Sequence, residues 1–337
     1  QLGPFISEGD VNGDGLDDLF ISGATGFSGV MYIQNENGGF SEKSGPWSQG
    51  KAREELGSAF VDVDGDGDQD LYVVSGGNEY DFSIRFYQDQ LYINDGKGNF
   101  KNETVTRLPK LEASGQSVAV GDYDGDGDPD LYVGGRQMPG FYPYTTRSFL
   151  LENVDGKFTD VTSSTVGSNQ TEESISLAAP GMVTDAIFDD FDNDNDLDLV
   201  IVGEWMPITF FENSNGKFDD VTKRYNPSAQ RGWWYSISKG DFNGDGKSDY
   251  IVGNVGGNNK FHPSETKPLE IYVKDFDENG TEDIVLAKYQ DNICYPVRGR
   301  QCSSEQMPFI KNKFPTYGEY ATADIDNIYG QEALDAA

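Results

Sequence analysis

Six short stretches of this chain crowd carboxylates at a spacing that suits cation binding. A nine-residue pattern begins at Asp10 (DVNGDGLDD), Asp62 (DVDGDGDQD), Asp122 (DYDGDGDPD) and Asp190 (DFDNDNDLD), and returns at Asp241 (DFNGDGKSD) and Asp275 (DFDENGTED). Positions one, three and five are Asp or Asn throughout: Asp10, Asn12 and Asp14; Asp62, Asp64 and Asp66; Asp122, Asp124 and Asp126; Asp190, Asp192 and Asp194; Asp241, Asn243 and Asp245; Asp275, Asp277 and Asn279. Position nine is always aspartate, as Asp18, Asp70, Asp130, Asp198, Asp249 and Asp283. Clustered carboxylates repel one another unless a cation lies between them. Hard oxygen ligands in this number suit Ca²⁺ better than Mg²⁺, which resists full dehydration. The expected cofactor is therefore Ca²⁺, with up to six ions.

The remaining positions fit the same chemistry. Position six is Gly15, Gly67, Gly127, Asn195, Gly246 or Gly280, residues that tolerate the positive φ a loop needs to fold round one ion. Position seven varies (Leu16, Asp68, Asp128, Asp196, Lys247, Thr281), as expected if only its backbone carbonyl binds. An EF-hand places a bidentate Glu at position twelve and helices on both sides. Here position twelve is Ile21, Val73, Val133, Ile201, Val252 or Leu286, so the loop joins strands. Asn12, Asn243 and Asn279 predict weaker binding in the first, fifth and sixth copies. A seventh trace, Ala323-Asp324-Ile325-Asp326-Asn327, keeps only the opening of the pattern.

The elements that carry these loops repeat with them. Small and β-branched residues precede each loop, as in Ser117–Gly121, and a strand-like run ending in glycine follows, as in Leu71–Gly76. Four copies continue into a third run with a hairpin turn and an aromatic: Met31–Phe40, Leu91–Phe100, Leu150–Phe158 and Phe210–Phe218. Units of about 50 residues with four strands each predict an all-β fold, a β-propeller of six to seven blade-like units. The units run over 1–50, 51–112, 113–175, 176–228 and 229–266, with an irregular 267–337, in a single domain that is seven-bladed or incomplete.

The bulk composition narrows the partners. Asp plus Glu number 58 against 25 Lys plus Arg, which leaves no basic stripe for nucleic acid and disfavours anionic membrane surfaces. No apolar run approaches the roughly 18 residues of a membrane span. Cys294 and Cys302 are close enough in sequence to pair as a disulfide, with two free thiols the alternative. The opening at Gln1, so close to a metal loop, predicts a processed or excised piece of a longer chain.

The loop-strand-turn unit resembles the FG-GAP or VCBS repeats of the integrin α-subunit propeller and of bacterial surface proteins. Gly203-Glu204-Trp205-Met206-Pro207-Ile208-Thr209-Phe210-Phe211, Val252-Gly253-Asn254 and Lys313-Phe314-Pro315-Thr316-Tyr317 are similar to the propeller part of ASPIC/UnbV-type VCBS proteins. The resemblance implies a secreted or cell-surface location, bacterial outer-membrane association and links to nutrient-uptake machinery. It also implies that the metal loops share one rim while the connections after each second strand open on the other. Those connections hold Tyr80, Phe82, Arg85, Phe86 and Tyr87; Arg136, Met138, Phe141, Tyr142, Tyr144 and Arg147; Glu204 and Trp205; and Asn258, Asn259, Lys260, Phe261 and His262. Links between blades add Trp47, Arg53, Trp233 and Trp234.

Aromatic platforms beside Arg and amide groups suit glycan stacking or a protein hot spot, though each such aromatic is equally able to pack between blades. The expected function is an extracellular, calcium-stabilised binding or scaffold module for adhesion to a protein or a glycan. Catalysis is weakly supported: the single histidine, His262, has no motif around it, and Glu54, Glu55, Asp81 and Glu204 form no evident acid pair. No catalytic residue is assigned. The alternative is a Ca²⁺-dependent polysaccharide lyase using Lys260, Tyr142 or Arg136.

Overall fold

A computed structural model of the chain describes residues 3–80 and 84–337; Asp81 and Phe82 lie outside them. Contacts divide the chain into two compact units, 1–254 and 255–337.

The first unit is a run of antiparallel blades. Blade one comprises β1 (Ile6–Gly9), β2 (Asp18–Ile21), β3 (Val30–Gln34) and β4 (Phe40–Lys43). Blade two comprises β5 (Glu54–Val61), β6 (Asp70–Gly76), β7 (Gln90–Ile93) and β8 (Lys101–Asn102). Blade three comprises β9 (Gly115–Gly121), β10 (Asp130–Gly135), β11 (Phe149–Val154) and β12 (Lys157–Asp160). Blade four comprises β13 (Met182–Asp189), β14 (Asp198–Met206), β15 (Thr209–Asn213) and β16 (Phe218–Asp220). A fifth unit supplies β17 (Gly232–Gly240) and β18 (Asp249–Asn254). The first strands of successive blades lie side by side, β1 against β5, β5 against β9, β9 against β13 and β13 against β17. Lining up inner strands in this way is how a propeller places blades about an axis. Crowding there excludes side chains: a Cβ on Gly76 would lie 2.1 Å from the Gly115 carbonyl oxygen.

The second strands of blades two, three and four are buried on both faces, which explains their continuous apolar sequence. Leu71 and Val73 pack toward blade one with Phe20, Met31, Trp47 and Tyr92. Their neighbours Tyr72 and Val74 pack toward blade three with Leu131, Val133 and Leu151. The alternation repeats in β14, where Leu199 and Ile201 join the core with blade three and Val200 and Val202 face β17. A one-residue slip would exchange the two cores, so the register is tightly set. Trp47 belongs to this packing rather than to a binding rim, lying edge-on to Phe20, Tyr92 and Phe100.

The second unit departs from the regular blade. It holds β19 (Glu270–Lys274), β20 (Asp283–Gln290) and β21 (Ile293–Pro296), followed by five short helices between Arg300 and Asp335. The seventh trace of the sequence pattern lies here and is a helix start: the Asp324 side chain caps Ile325–Tyr329 by accepting from the Asn327 N–H at 2.7 Å. Cys294 and Cys302 are not joined. Cys294 sits on β21 with its Sγ 3.5 Å from the Glu270 carboxylate, while Cys302 is exposed on the helix Arg300–Gln306. No helix among the described residues is long and apolar enough to cross a membrane.

Blades one and two are also tied by a buried carboxylate. Glu55 Oε2 accepts from the N–H groups of Gly23 (3.0 Å) and Gly29 (2.7 Å), and burial pushes its carboxyl up to about 7 from 4.5. The folded chain thus keeps this proton while the unfolded chain releases it. Stability falls as pH rises from about 4.5 to about 7 and levels off above. Glu55→Gln keeps an acceptor oxygen and removes the charge. Urea unfolding should find it more stable than wild type by about 3 kcal/mol near pH 8 and level with it near pH 4; the same difference at both pH values would contradict this assignment.

Candidate functional site

The six acidic loops lie where the sequence places them, between first and second strands: β1–β2, β5–β6, β9–β10, β13–β14, β17–β18 and β19–β20. Each is organised from within by its first aspartate. Asp10 Oδ1 accepts from the N–H of Gly13 at 2.8 Å and Oδ2 from that of Gly15 at 2.8 Å. Asp122 repeats this with Gly125 (2.8 Å) and Gly127 (3.0 Å), and Asp241 with Gly244 (2.7 Å) and Gly246 (2.9 Å). The chain turns back sharply enough to offer these amides because position six is left-handed, from φ 77° at Asn195 to 100° at Gly127. Position four is left-handed as well, as Gly13, Gly65, Gly125, Asn193, Gly244 and Glu278. This second bend was not anticipated, although glycine at four of its six occurrences is its visible signal in the sequence.

The ninth aspartate anchors the loop to the blade. Asp130 Oδ2 accepts from the Tyr123 N–H (3.1 Å) and Oδ1 from the Asn153 N–H (2.8 Å) on β11. Burial pushes the Asp70, Asp130 and Asp198 carboxyls up to about 7 despite these amides. Two variable-position aspartates also have partners: Asp128 accepts from the Asp155 N–H (3.0 Å) and Asp196 from the Asn215 N–H (2.8 Å), fastening the outer hairpin.

The donor set fits a divalent cation. Oxygens of Asp62, Asp64 and Asp66 lie within 4.8 Å of one another, as do those of Asp122, Asp124 and Asp130, of Asp190, Asp192 and Asp194, and of Asp275, Asp277 and Asp283. One oxygen of the third-position aspartate is buried without a hydrogen-bond partner in three loops, at Asp64, Asp192 and Asp277. A buried carboxylate oxygen without a donor is costly, and a metal ligand bond removes the cost. In the first and fifth loops Asn12 and Asn243 replace one carboxylate of the set, which lowers the charge available to an ion.

At the other ends of the strands, several of the predicted rim residues converge. Arg136, in the β10–β11 connection, pairs with Glu204 at the end of β14 (Nη2 to Oε1, 2.9 Å) and donates to Gln137 Oε1 at 3.0 Å. Trp205 Nε1 donates to the Tyr142 hydroxyl at 2.7 Å and its ring stands edge-on to Trp233, centroids 5.1 Å apart. Trp205 is left-handed at φ 61°, an unusual state for a bulky residue that costs about 1–3 kcal/mol and gathers at functional sites. Its carbonyl accepts from Arg231 Nη1 at 3.1 Å. Tyr235, missed from the sequence, joins the group: burial and the neighbouring Glu204 push its phenol up to about 12. Burial likewise raises Tyr142, against the hydrogen bond from Trp205.

The other candidates divide. Tyr80 stacks on Phe86 with centroids 4.2 Å apart, and Arg85 lies over the same ring. Asn78 joins that connection to the Arg136 loop by accepting from the Gly140 N–H at 2.6 Å. A cavity of about 280 Å³ opens between the two, lined by Tyr87, Glu112, Ala113, Ser114, Met138, Pro139 and Thr146. Arg147 turns away to Asp160 (2.8 Å) and the Phe149 ring. Trp234 is half-buried against the Val200 and Val202 core and donates to the Met206 carbonyl at 3.2 Å. Asn258 is exposed in the second unit, as is His262.

Fold and loops together define the class: an all-β propeller of four-stranded blades with acidic, cation-type loops at one end of the strands. A model of the FG-GAP-like repeat matches residues 10–73, 62–133 and 190–252, and the chain belongs to this family. It is 27% identical over 285 residues to cartilage acidic protein 1 of Xenopus tropicalis, covering 76% of this chain and 41% of that relative. Among solved structures it is similar to the Vibrio cholerae biofilm matrix protein Bap1 (17% identity, 84% of this chain and 37% of that one, TM-score 0.34). It is similar also to Saccharomyces cerevisiae Sqt1 (10%, 87% and 72%, TM-score 0.43) and to the exotype rhamnogalacturonan lyase YesX (14%, 81% and 49%, TM-score 0.35).

If Asp192 turns its unpaired oxygen toward an ion, removing its charge has opposite effects with and without metal. Asp192→Asn should lower the melting midpoint by about 2–4 °C in saturating calcium. In chelator it should leave the midpoint unchanged or raise it, because a like charge is gone. Equal losses in both conditions would point to packing instead.

Proposed function

We propose that this chain is an extracellular, calcium-stabilised binding module that recognises a protein or glycan through the rim opposite its acidic loops. The carrying observation is the convergence of the Arg136–Glu204 pair with Tyr142, Trp205 and Trp233 beside a backbone held left-handed at Trp205. Rigid aromatics next to an anchored ion pair make a recognition surface whose ordering cost is largely met before binding. Calcium is the ion of choice because oxygen-only loops of this kind bind at about 10⁻⁴–10⁻³ M in extracellular modules, a level of use outside cells. The acidic charge of −33 favours a partner that is neutral or basic at the contact. A bacterial outer-membrane setting and contact with nutrient-uptake machinery extend this proposal.

Binding is a better reading than lyase chemistry. A base working near neutral pH needs a lowered pKa, and burial raises Tyr142. Arg136 is committed to Glu204 and Gln137.

A glycan array and a pull-down of surface proteins, run side by side in calcium, test the proposal. One arm should retain the wild-type chain. Trp205→Ala should weaken that binding at least about tenfold while the calcium-loaded melting midpoint stays within a few degrees. Undiminished binding by Trp205→Ala and by Arg136→Gln would remove the rim from the account, and unsaturated products from acidic polysaccharides would establish the lyase.

A further inference from the structure

The acidic loops of the first four blades are wired to one another. The Asn94 backbone N–H donates to Asp70 Oδ1 (2.7 Å), the ninth position of its own blade's loop, while its Nδ2 donates to the Val11 carbonyl (2.8 Å) in the loop of the preceding blade. Asn153 repeats both bonds, to Asp130 Oδ1 (2.8 Å) and to the Val63 carbonyl (2.8 Å). Asn213 does so again, to Asp198 Oδ1 (2.8 Å) and to the Tyr123 carbonyl (2.7 Å). The second-position residues complete the links, since Val11, Val63 and Tyr123 donate through N–H to Oδ2 of Asp18, Asp70 and Asp130 at 3.1, 3.0 and 3.1 Å. Phe191 does the same for Asp198 at 3.0 Å.

An unbroken run of hydrogen bonds therefore passes from Asp18 to Phe191. Its asparagines are buried, Asn153 and Asn213 completely. The fifth and sixth loops are held differently. Asp249 Oδ1 takes the Asn243 side chain of its own loop at 3.3 Å while Ser248 and Tyr250 reach back to Asp189 beside the fourth loop, and Asp283 has Gln306 for a side-chain partner.

We infer that Asn94, Asn153 and Asn213 are positioning residues that couple neighbouring metal loops, so that the first four fill cooperatively and the sixth fills independently. The inference rests on reading the loops as calcium sites. An ion that orders one loop fixes its ninth aspartate, which fixes the asparagine's backbone, which fixes the carbonyl of the loop before it. Because the asparagine is buried, a loop cannot relax without leaving a polar group unpaired. Neighbouring loops thus share the cost of becoming ordered, and a second ion meets a loop already set.

Calcium titration of the full chain, read by hydrogen exchange on peptides spanning each loop, gives one midpoint per loop. Asp66→Asn, which weakens the second loop, should shift the midpoints of the first and third loops to higher calcium by about fivefold and leave the sixth unmoved. Adding Asn153→Ala should abolish the shift of the third loop alone. The shift of the first loop, carried by Asn94, should persist and would show that the double variant still folds. A third-loop shift that survives Asn153→Ala, or one absent from Asp66→Asn itself, overturns the coupling while leaving the calcium reading intact. Loops that gain no protection from calcium overturn both.

Discussion

Carboxylates gathered at the end of a hairpin repel, and the rest of this structure is arranged around that repulsion. At 4 Å two such charges cost about 1 kcal/mol in water and about 4 kcal/mol near a protein surface. Each loop answers in two ways. Its first aspartate gathers backbone N–H groups from the bend, as Asp62 does with Gly65 (2.9 Å) and Gly67 (3.0 Å). What remains, an oxygen each on Asp64, Asp192 and Asp277 with nothing to accept from, calls for a cation. The ninth aspartate then carries that order inward, since its two oxygens hold the loop to the neighbouring strand of the same blade.

Order at one end of the strands bears on the proposed recognition rim at the other because the second strands of blades two to four are buried on both faces. Tyr72, Leu131, Leu199 and their neighbours leave no slack between successive blades. The Arg136–Glu204 pair and the Trp205 ring inherit that rigidity, with blades three, four and five each contributing a side chain. A surface built on such a frame needs little reorganisation to bind.

Much of this was legible in the sequence. The acidic loops, their place between first and second strands and the outer hairpins such as Leu150–Phe158 followed from six near-copies of one pattern. A shared rim for Arg136, Tyr142, Glu204 and Trp205 was what the family resemblance implied, while their contacts with one another and with Trp233 were not legible. Other features were hidden because a residue type does not reveal its partner. Trp47 reads as a rim aromatic until Phe20, Tyr92 and Phe100 surround it. Asp324 reads as a degenerate metal loop and is a helix cap, since Asp with Asn three residues on suits both. The two cysteines are near in sequence but belong to a strand and a helix, and proximity along the chain did not bring them together. Asn94, Asn153 and Asn213 lie within the outer runs of their blades, and their links to preceding loops, up to 90 residues away, have no local signature.

The central claim is that an ion completes each oxygen cluster. Anomalous diffraction from crystals of the calcium-loaded chain measures this directly. The account predicts a calcium peak enclosed by Asp62, Asp64, Asp66 and Asp70, and matching peaks within the clusters that start at Asp122, Asp190 and Asp275. Loops found in the conformation described above with no peak among their carboxylates would contradict it.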